Sequence, residues 1–247
     1  MTSTHPGPVP DRPLVGVIGG VGPQATAYFL DMVVRLTRAE RDQDHLDMVV
    51  LNHAGIPDRT AYILGSSPED PGPVMAEDAR RLERFGVSFL VLPCNTAHHF
   101  TDEIAAAVQV PLVNIVEETV AEARGRVDGL RRIGVLATTG TARAGVYQRA
   151  AAAVGVDCVL PDDEDQATVM RVIYEQVKAG LPADLPAFQG VVDRLRERGA
   201  EVVVLGCTEL SVVAADHDLL TADRTLVDSL EVLARRTIER SGHTVRT

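Results

Sequence analysis

The chain has 247 residues, 45% hydrophobic and 24% charged, which excludes a disordered chain, a collagen-like fibre and a disulfide-stapled miniprotein. At about 150 residues per domain, this length makes one large domain or two small ones. The formal charge of −11 argues against a polyanion-binding surface, so no nucleic-acid partner is expected, although cations focused in a pocket can still hold a small anion.

Residues 1–13 read as a Pro-rich flexible tail without the apolar core of a secretory leader. LVGVIGG (14–20) is a buried strand running into glycines, and 25–42 is an amphipathic helix. Strand 47–53 follows, then a helix over 74–86 closed by a glycine, then strand 87–93. A helical stretch at 102–108 precedes strand 110–115. The theme repeats with helix 116–128, strand 132–138, helix 142–154 and strand 157–161. Helices 166–179 and 185–199, strand 201–206 and a last helix near 226–240 complete the chain. Strands alternating with helices specify an α/β fold of parallel sheets flanked by helices. No apolar run approaches the ~20 residues of a membrane helix, so no membrane partner is expected.

The two halves resemble each other. Strand 14–18 leads into GGVGPQAT and strand 132–136 into ATTGTARAG; LVLPCNT (90–96) is echoed by VVLGCTE (203–209). The offsets of 118 and 113 residues indicate a tandem duplication. Two such lobes, related by a pseudo-twofold, would place their strand-end loops across a shared cleft, where ligands of open α/β sheets bind.

Three cysteines at wide spacings form neither a disulfide framework nor a zinc site, and free thiols fit a cytoplasmic setting. Cys94 and Cys207 stand at equivalent places, each after a buried strand and before a helix, where the helix N-terminus favours thiolate. Cys158 sits inside a strand pattern and reads as packing. Two opposed thiols suit the transfer of a proton from one face of a carbon to the other, with neither metal nor cofactor required. A redox pair would need the sulfurs to touch.

Other candidates surround these two. The loop containing Gly20 and Gly22 satisfies G-x-G-x-x-A, yet the second strand ends in Asn52-His53 without the carboxylate a dinucleotide site needs. Its backbone N–H groups fit a substrate carboxylate better. Arg59 offers a fork for a carboxylate, or a surface ion pair with Asp58. Thr138, Thr139 and Thr141 can present N–H and O–H donors. Asn95, Thr96, Thr208 and Glu209 flank the thiols, with Glu209 either binding substrate or capping its helix. Either His98 or His99 could pair with a thiolate, but no second ligand cluster makes a metal site. Lys178 is the single lysine beside 23 arginines, a compact ammonium that an arginine does not replace.

Together IGGVGPQAT, NHAGIPDRT, LPCNTAH, ATTGTARAGVYQ, IYEQVKAG and LGCTEL resemble the cofactor-independent aspartate/glutamate racemases, on the branch of aspartate and broad-specificity amino-acid racemases. The resemblance runs from Leu14 to about Arg240. It implies Cys94 and Cys207 as the acid/base thiols, one for each enantiomer. Asn95, Thr96, Thr138, Thr141 and Thr208 would hold the amino and α-carboxylate groups, and Arg59 and Lys178 the side-chain end. Val21 and Gln24 replace the Met and Glu that many relatives carry. The family fold implies a crossed-over chain, with a first lobe of 14–115 plus 224–247 and a second lobe of 116–223, and commonly a homodimer.

The expected function is racemisation of an acidic or related amino acid, aspartate or glutamate first, without pyridoxal phosphate. Alternatives within the superfamily are a maleate-type isomerase or a hydantoin racemase; decarboxylases of this fold keep only one of the two cysteines. Outside it stands a non-catalytic amino-acid-binding protein, which would bind without exchanging the α-hydrogen.

Overall fold

The computed structural model describes residues 12–246, so the expected tail lies outside the described residues except for Arg12 and Pro13. Strands β1 (Val15–Gly19), β2 (Met48–Asn52), β3 (Phe89–Val91) and β4 (Leu112–Val113) make one sheet in the order β2-β1-β3-β4. Strands β5 (Arg132–Leu136), β6 (Asp157–Val159), β7 (Val202–Leu205) and β8 (Leu226–Asp228) make a second in the order β6-β5-β7-β8. Every pairing is parallel, and the second order repeats the first: the lobes share one topology. Strands β1, β3 and β7 are buried throughout because helices cover both faces, which is why they read as unbroken apolar runs.

The first lobe carries α1 (Pro23–Leu36), α2 (Arg59–Ile63), α3 (Gly72–Arg84) and α4 (Thr101–Ala107), and α5 (Ile115–Arg126) leads out of it. Helix α1 stops at Leu36, well before the expected 42. Thr37 Oγ1 turns back onto Val33 O at 2.7 Å, and the Thr37 backbone bridges to Val245 instead of continuing the helix. The second lobe carries α6 (Thr139–Ala144), α7 (Val146–Ala153), α8 (Asp163–Met170) with a π-helical continuation over Arg171–Val177, α9 (Leu185–Glu197), α10 (Thr208–Asp216) and α11 (Leu219–Ala222). The single helix expected over 142–154 is divided at Gly145, whose φ of +68° is left-handed and stops a turn. Among the described residues no helix is long and apolar enough to cross a membrane.

The last expected helix begins as a strand. Leu226–Asp228 pairs with β7, Val227 beside Val204, so this segment belongs to the second sheet and not, as the sequence division has it, to the first lobe. Helix α12 (Ser229–Arg240) alone returns, packing on α1 and α5.

Helices α5 and α12 form the seam between the lobes. Val116 and Val120 of α5 and Leu230, Leu233 and Ile238 of α12 share one buried cluster with Val15 and Val17 of β1 and Val135 and Val204 of the second sheet. At the surface Arg236 pairs with Glu118 at 3.2 Å and Glu122 at 3.0 Å. These half-buried ion pairs sit at the rim, and the many large side chains buried in the apolar cluster carry most of the seam.

The helix starts at the seam are tied to the cysteine loops. Asn114 Oδ1 caps α5, accepting from Val116 N at 3.0 Å, and Asp228 Oδ1 caps α12, accepting from Leu230 N at 2.9 Å. His98, four residues after Cys94, donates from Nδ1 to Cys94 O at 2.8 Å and accepts at Nε2 from Ile115 N at 3.2 Å. Ser211, four residues after Cys207, donates to Asp228 Oδ1 at 2.6 Å. Burial pushes His98 down to about 4 and Asp228 up to about 7. Neither expected histidine pairs with a thiolate: His98 serves two backbone groups, and His99 is exposed against the edge of Phe100.

Two outcomes follow for stability. Leu233→Ala in the seam lowers unfolding free energy by about 2–5 kcal/mol, whereas Val34→Ala on the exposed face of α1 changes it by about 0.5 kcal/mol or less; urea denaturation measures both. The two titrating groups oppose each other. His98 contributes stability above its unfolded pKa of 6.5 that is lost as pH falls through 4, while Asp228 contributes stability below 3.8 that is lost as pH rises through 7. His98→Asn therefore leaves a protein whose melting temperature falls from pH 4 to pH 7, and Asp228→Asn one whose melting temperature rises over that window. Parallel melting curves for the two variants would exclude this assignment.

Candidate active site

Cys94 follows β3 and precedes a 3-10 turn over Thr96–Phe100; Cys207 follows β7 and occupies the N-cap position of α10. Both thiols are free and buried, and both line one cleft between the lobes, which has about 360 Å³ of empty space, part of it open to solvent. The duplication thus places one cysteine from each lobe on the same small chamber. Cys158 lies away from it in β6, packed on the core, its thiol pushed up to about 12 by burial.

Arg59, Asn95, Thr96, Thr138, Lys178, Thr208 and Glu209 line the cleft, together with Val21, Asp58, Thr60, Tyr174 and Gly206. Gly20, Gly22, Thr139 and Thr141 stand outside the lining. Gly20 has φ +88° and presses on His53, whose backbone would lie 2.3 Å from a Cβ; its glycine answers a close approach between loop and β2. Thr139 packs its backbone N–H against the Met170 sulfur. Thr141 backs the wall: its hydroxyl is 2.8 Å from Thr96 Oγ1 and 3.1 Å from Thr138 Oγ1, and Thr96 and Thr138 are 3.1 Å apart. This triangle joins the lobes.

Asn95 makes a second cross-lobe link. Its Oδ1 accepts from Tyr147 Oη at 2.6 Å and its Nδ2 donates to Ser229 Oγ at 2.9 Å, while Ser229 Oγ donates to Leu205 O at 2.7 Å. Gly206 leaves room for this arrangement, since a Cβ there would meet the Tyr147 ring at 2.9 Å.

The charged groups of the lining are Asp58, Arg59, Lys178 and Glu209. Asp58 caps α2, accepting from Ala61 N at 2.6 Å, and Arg59 turns its Nη1 onto Pro57 O at 3.0 Å. Among the described residues Arg59 Nε is buried without a hydrogen-bond partner, and a buried unmet donor costs about 1–3 kcal/mol until an acceptor arrives. Lys178 Nζ lies 3.5 Å from Glu209 Oε1 and 4.4 Å from the centre of the Tyr174 ring. Burial pulls this lysine down, but Glu209 first, with Tyr174 and the two cysteines, together more than offset that and hold it protonated, above its usual range. Cys207 Sγ donates to Glu209 Oε2 at 2.9 Å. The expectation that a helix start favours thiolate is reversed here, because burial and the adjacent Glu209 carboxylate raise the Cys207 thiol well above the ordinary value. Tyr174 escaped the sequence reading although its spacing from Lys178, four residues on a helix, put the two on one face.

A paired chamber of this kind, on this duplicated sheet topology, defines a class. The chain belongs to the Asp/Glu/Hydantoin racemase family, whose model matches residues 18–237. It is an amino-acid racemase. The broad-specificity amino-acid racemase RacX of Bacillus subtilis is 27% identical to it over 229 residues, 91% of this chain and 96% of that protein. The structure of Picrophilus torridus aspartate racemase superposes with a TM-score of 0.79 at 28% identity, covering 95% of this chain and 96% of the other. Glutamate racemase from Thermus thermophilus shares the fold, with a TM-score of 0.59 at 23% identity over 95% of this chain and 83% of the other.

Proposed function

We propose that the enzyme interconverts the enantiomers of an acidic amino acid, aspartate or glutamate, by proton transfer between Cys94 and Cys207. The observation that carries this reading is the pair of buried thiols on one cleft, with two cations, Arg59 and Lys178, lining it. A thiolate removes the α-hydrogen as a proton, leaving the electron pair on the α-carbon and its carboxylate. The opposite thiol then gives its proton to the other face. The charge on the enzyme is unchanged, and the two sulfurs have exchanged protonation states. The hydroxyls of Thr96, Thr138 and Thr208 fit the α-carboxylate, where donors aimed at the developing charge lower the barrier. Arg59, with its unmet Nε, and Lys178 fit the distal carboxylate, and the name of the Picrophilus torridus relative agrees with that choice.

Proton NMR in D2O on L- and D-aspartate, L- and D-glutamate and several neutral amino acids tests the substrate. Loss of the α-proton signal from the acidic pair, with the opposite enantiomer appearing on chiral analysis, is the expected result. Exchange confined to neutral amino acids would overturn the acidic assignment, and silence across the panel with reduced, folded protein would overturn the choice of substrate class and direct the search to maleate and hydantoins. Cys94→Ala and Cys207→Ala should each lower kcat by about 10²–10⁴-fold while substrate still binds by calorimetry; full activity in either rules out the two-base route. Arg59→Ala and Lys178→Ala should raise KM for the acidic substrate by about tenfold or more.

A further inference from the structure

The carboxylate of Glu209 faces two ways. Oε2 accepts from the Cys207 thiol at 2.9 Å and from the Thr208 hydroxyl at 3.2 Å, and Oε1 lies 3.5 Å from Lys178 Nζ. Glu209 stands in the first turn of α10, where the helix start favours an anion and holds the side chain against the thiol. Its side chain is 14% exposed, so water does little to weaken its contact with the buried thiol, while the half-buried Lys178 stays partly screened. Cys94 has no such neighbour: among the described residues no carboxylate is hydrogen-bonded to its sulfur.

We infer that Glu209 is a positioning residue that makes the two thiols unequal, holding the proton on Cys207 so that Cys94 is the base of the free enzyme. The inference deepens the proposed reading by assigning each thiol its resting state. A thiolate at position 207 would set two negative charges within hydrogen-bond distance, so the proton stays on sulfur and is shared toward Oε2. Lys178 limits that hold by drawing on the other oxygen of the same carboxylate. The remaining charged or titratable groups around the pair are Tyr174 beside Lys178, Asp58 and Arg59 at the start of α2, and Cys94 across the cleft. None of these comes between Glu209 and the thiol. A substrate enantiomer that presents its α-hydrogen to Cys94 meets a base that needs no prior proton movement. Its mirror image must wait until the proton on Cys207 has been lost.

The test is alkylation of the intact protein by iodoacetamide over a pH series without substrate, each cysteine followed separately by peptide mass spectrometry. The pH midpoint of Cys207 should lie above that of Cys94. In Glu209→Gln, which keeps the shape and removes the charge, the Cys207 midpoint should fall by about one pH unit or more, an approximately tenfold gain in thiolate at a given pH below it, while Cys94 stays in place. Glu209→Asp keeps the charge and should keep the order of the two midpoints. Lys178→Gln should move Cys207 upward, because the carboxylate loses its cation; this variant decides the matter if Glu209→Gln does not fold. An unmoved Cys207 midpoint in folded Glu209→Gln, or a downward shift in Lys178→Gln, would overturn the inference. The experiment uses no substrate, so its failure leaves racemisation untouched, and a silent NMR panel leaves the alkylation result standing.

Discussion

The packing of α5 against α12 is the interaction on which the cleft depends. A single lobe is a four-stranded parallel sheet with one cysteine beyond the carboxyl end of its third strand. Only a rigid partner lobe brings a second thiol to the same chamber. The seam helices leave directly from β4 and β8, which neighbour the strands that carry the thiols. Their starts therefore sit beside the cysteine loops. His98 ties the Cys94 carbonyl to the first residue of α5, and the chain from Asn95 through Ser229 to Leu205 ties the Cys94 loop to the strand that carries Cys207. A shared apolar cluster supplies the adhesion, and these few buried hydrogen bonds supply the register.

The cleft also shows how little net charge says about a site. The chain carries −11 overall, yet its cleft is lined by one arginine and its single lysine. Burial strengthens charges at short range, while water and salt screen the many acidic residues on the surface. The charge close to a site therefore counts for more than the total on the chain. Glu209 and Asp58 then trim that positive field, one by bridging Lys178 to a thiol and the other by capping the helix that begins at Arg59.

Much of this was legible in the sequence, for identifiable reasons. Parallel strands buried on both faces are unbroken apolar runs, so strands such as 14–20 and 201–206 announce themselves, and a duplication leaves matching motifs that align Cys94 with Cys207. The elements whose sequence pattern misleads are those decided by contacts distant in sequence. Strand β8 is three residues long and exists because β7 offers it a free edge. Helix α1 ends where Thr37 meets Val245, more than two hundred residues away. His98 looked like a partner for a thiolate, but the carbonyl of Cys94 and the N–H of Ile115 claimed both of its nitrogens.

By itself, then, the sequence determined the α/β class, the twofold repeat, the two thiols and most of the polar side chains around them, because residue type and local period carry that information. Tertiary structure alone decided which of those side chains share a chamber, which are turned into struts, and that Lys178 meets Glu209. Hydrogen bonding and desolvation depend on what lies within a few ångströms, and for Asn95 against Ser229 and for Lys178 against Glu209 those neighbours come from segments that only folding brings together.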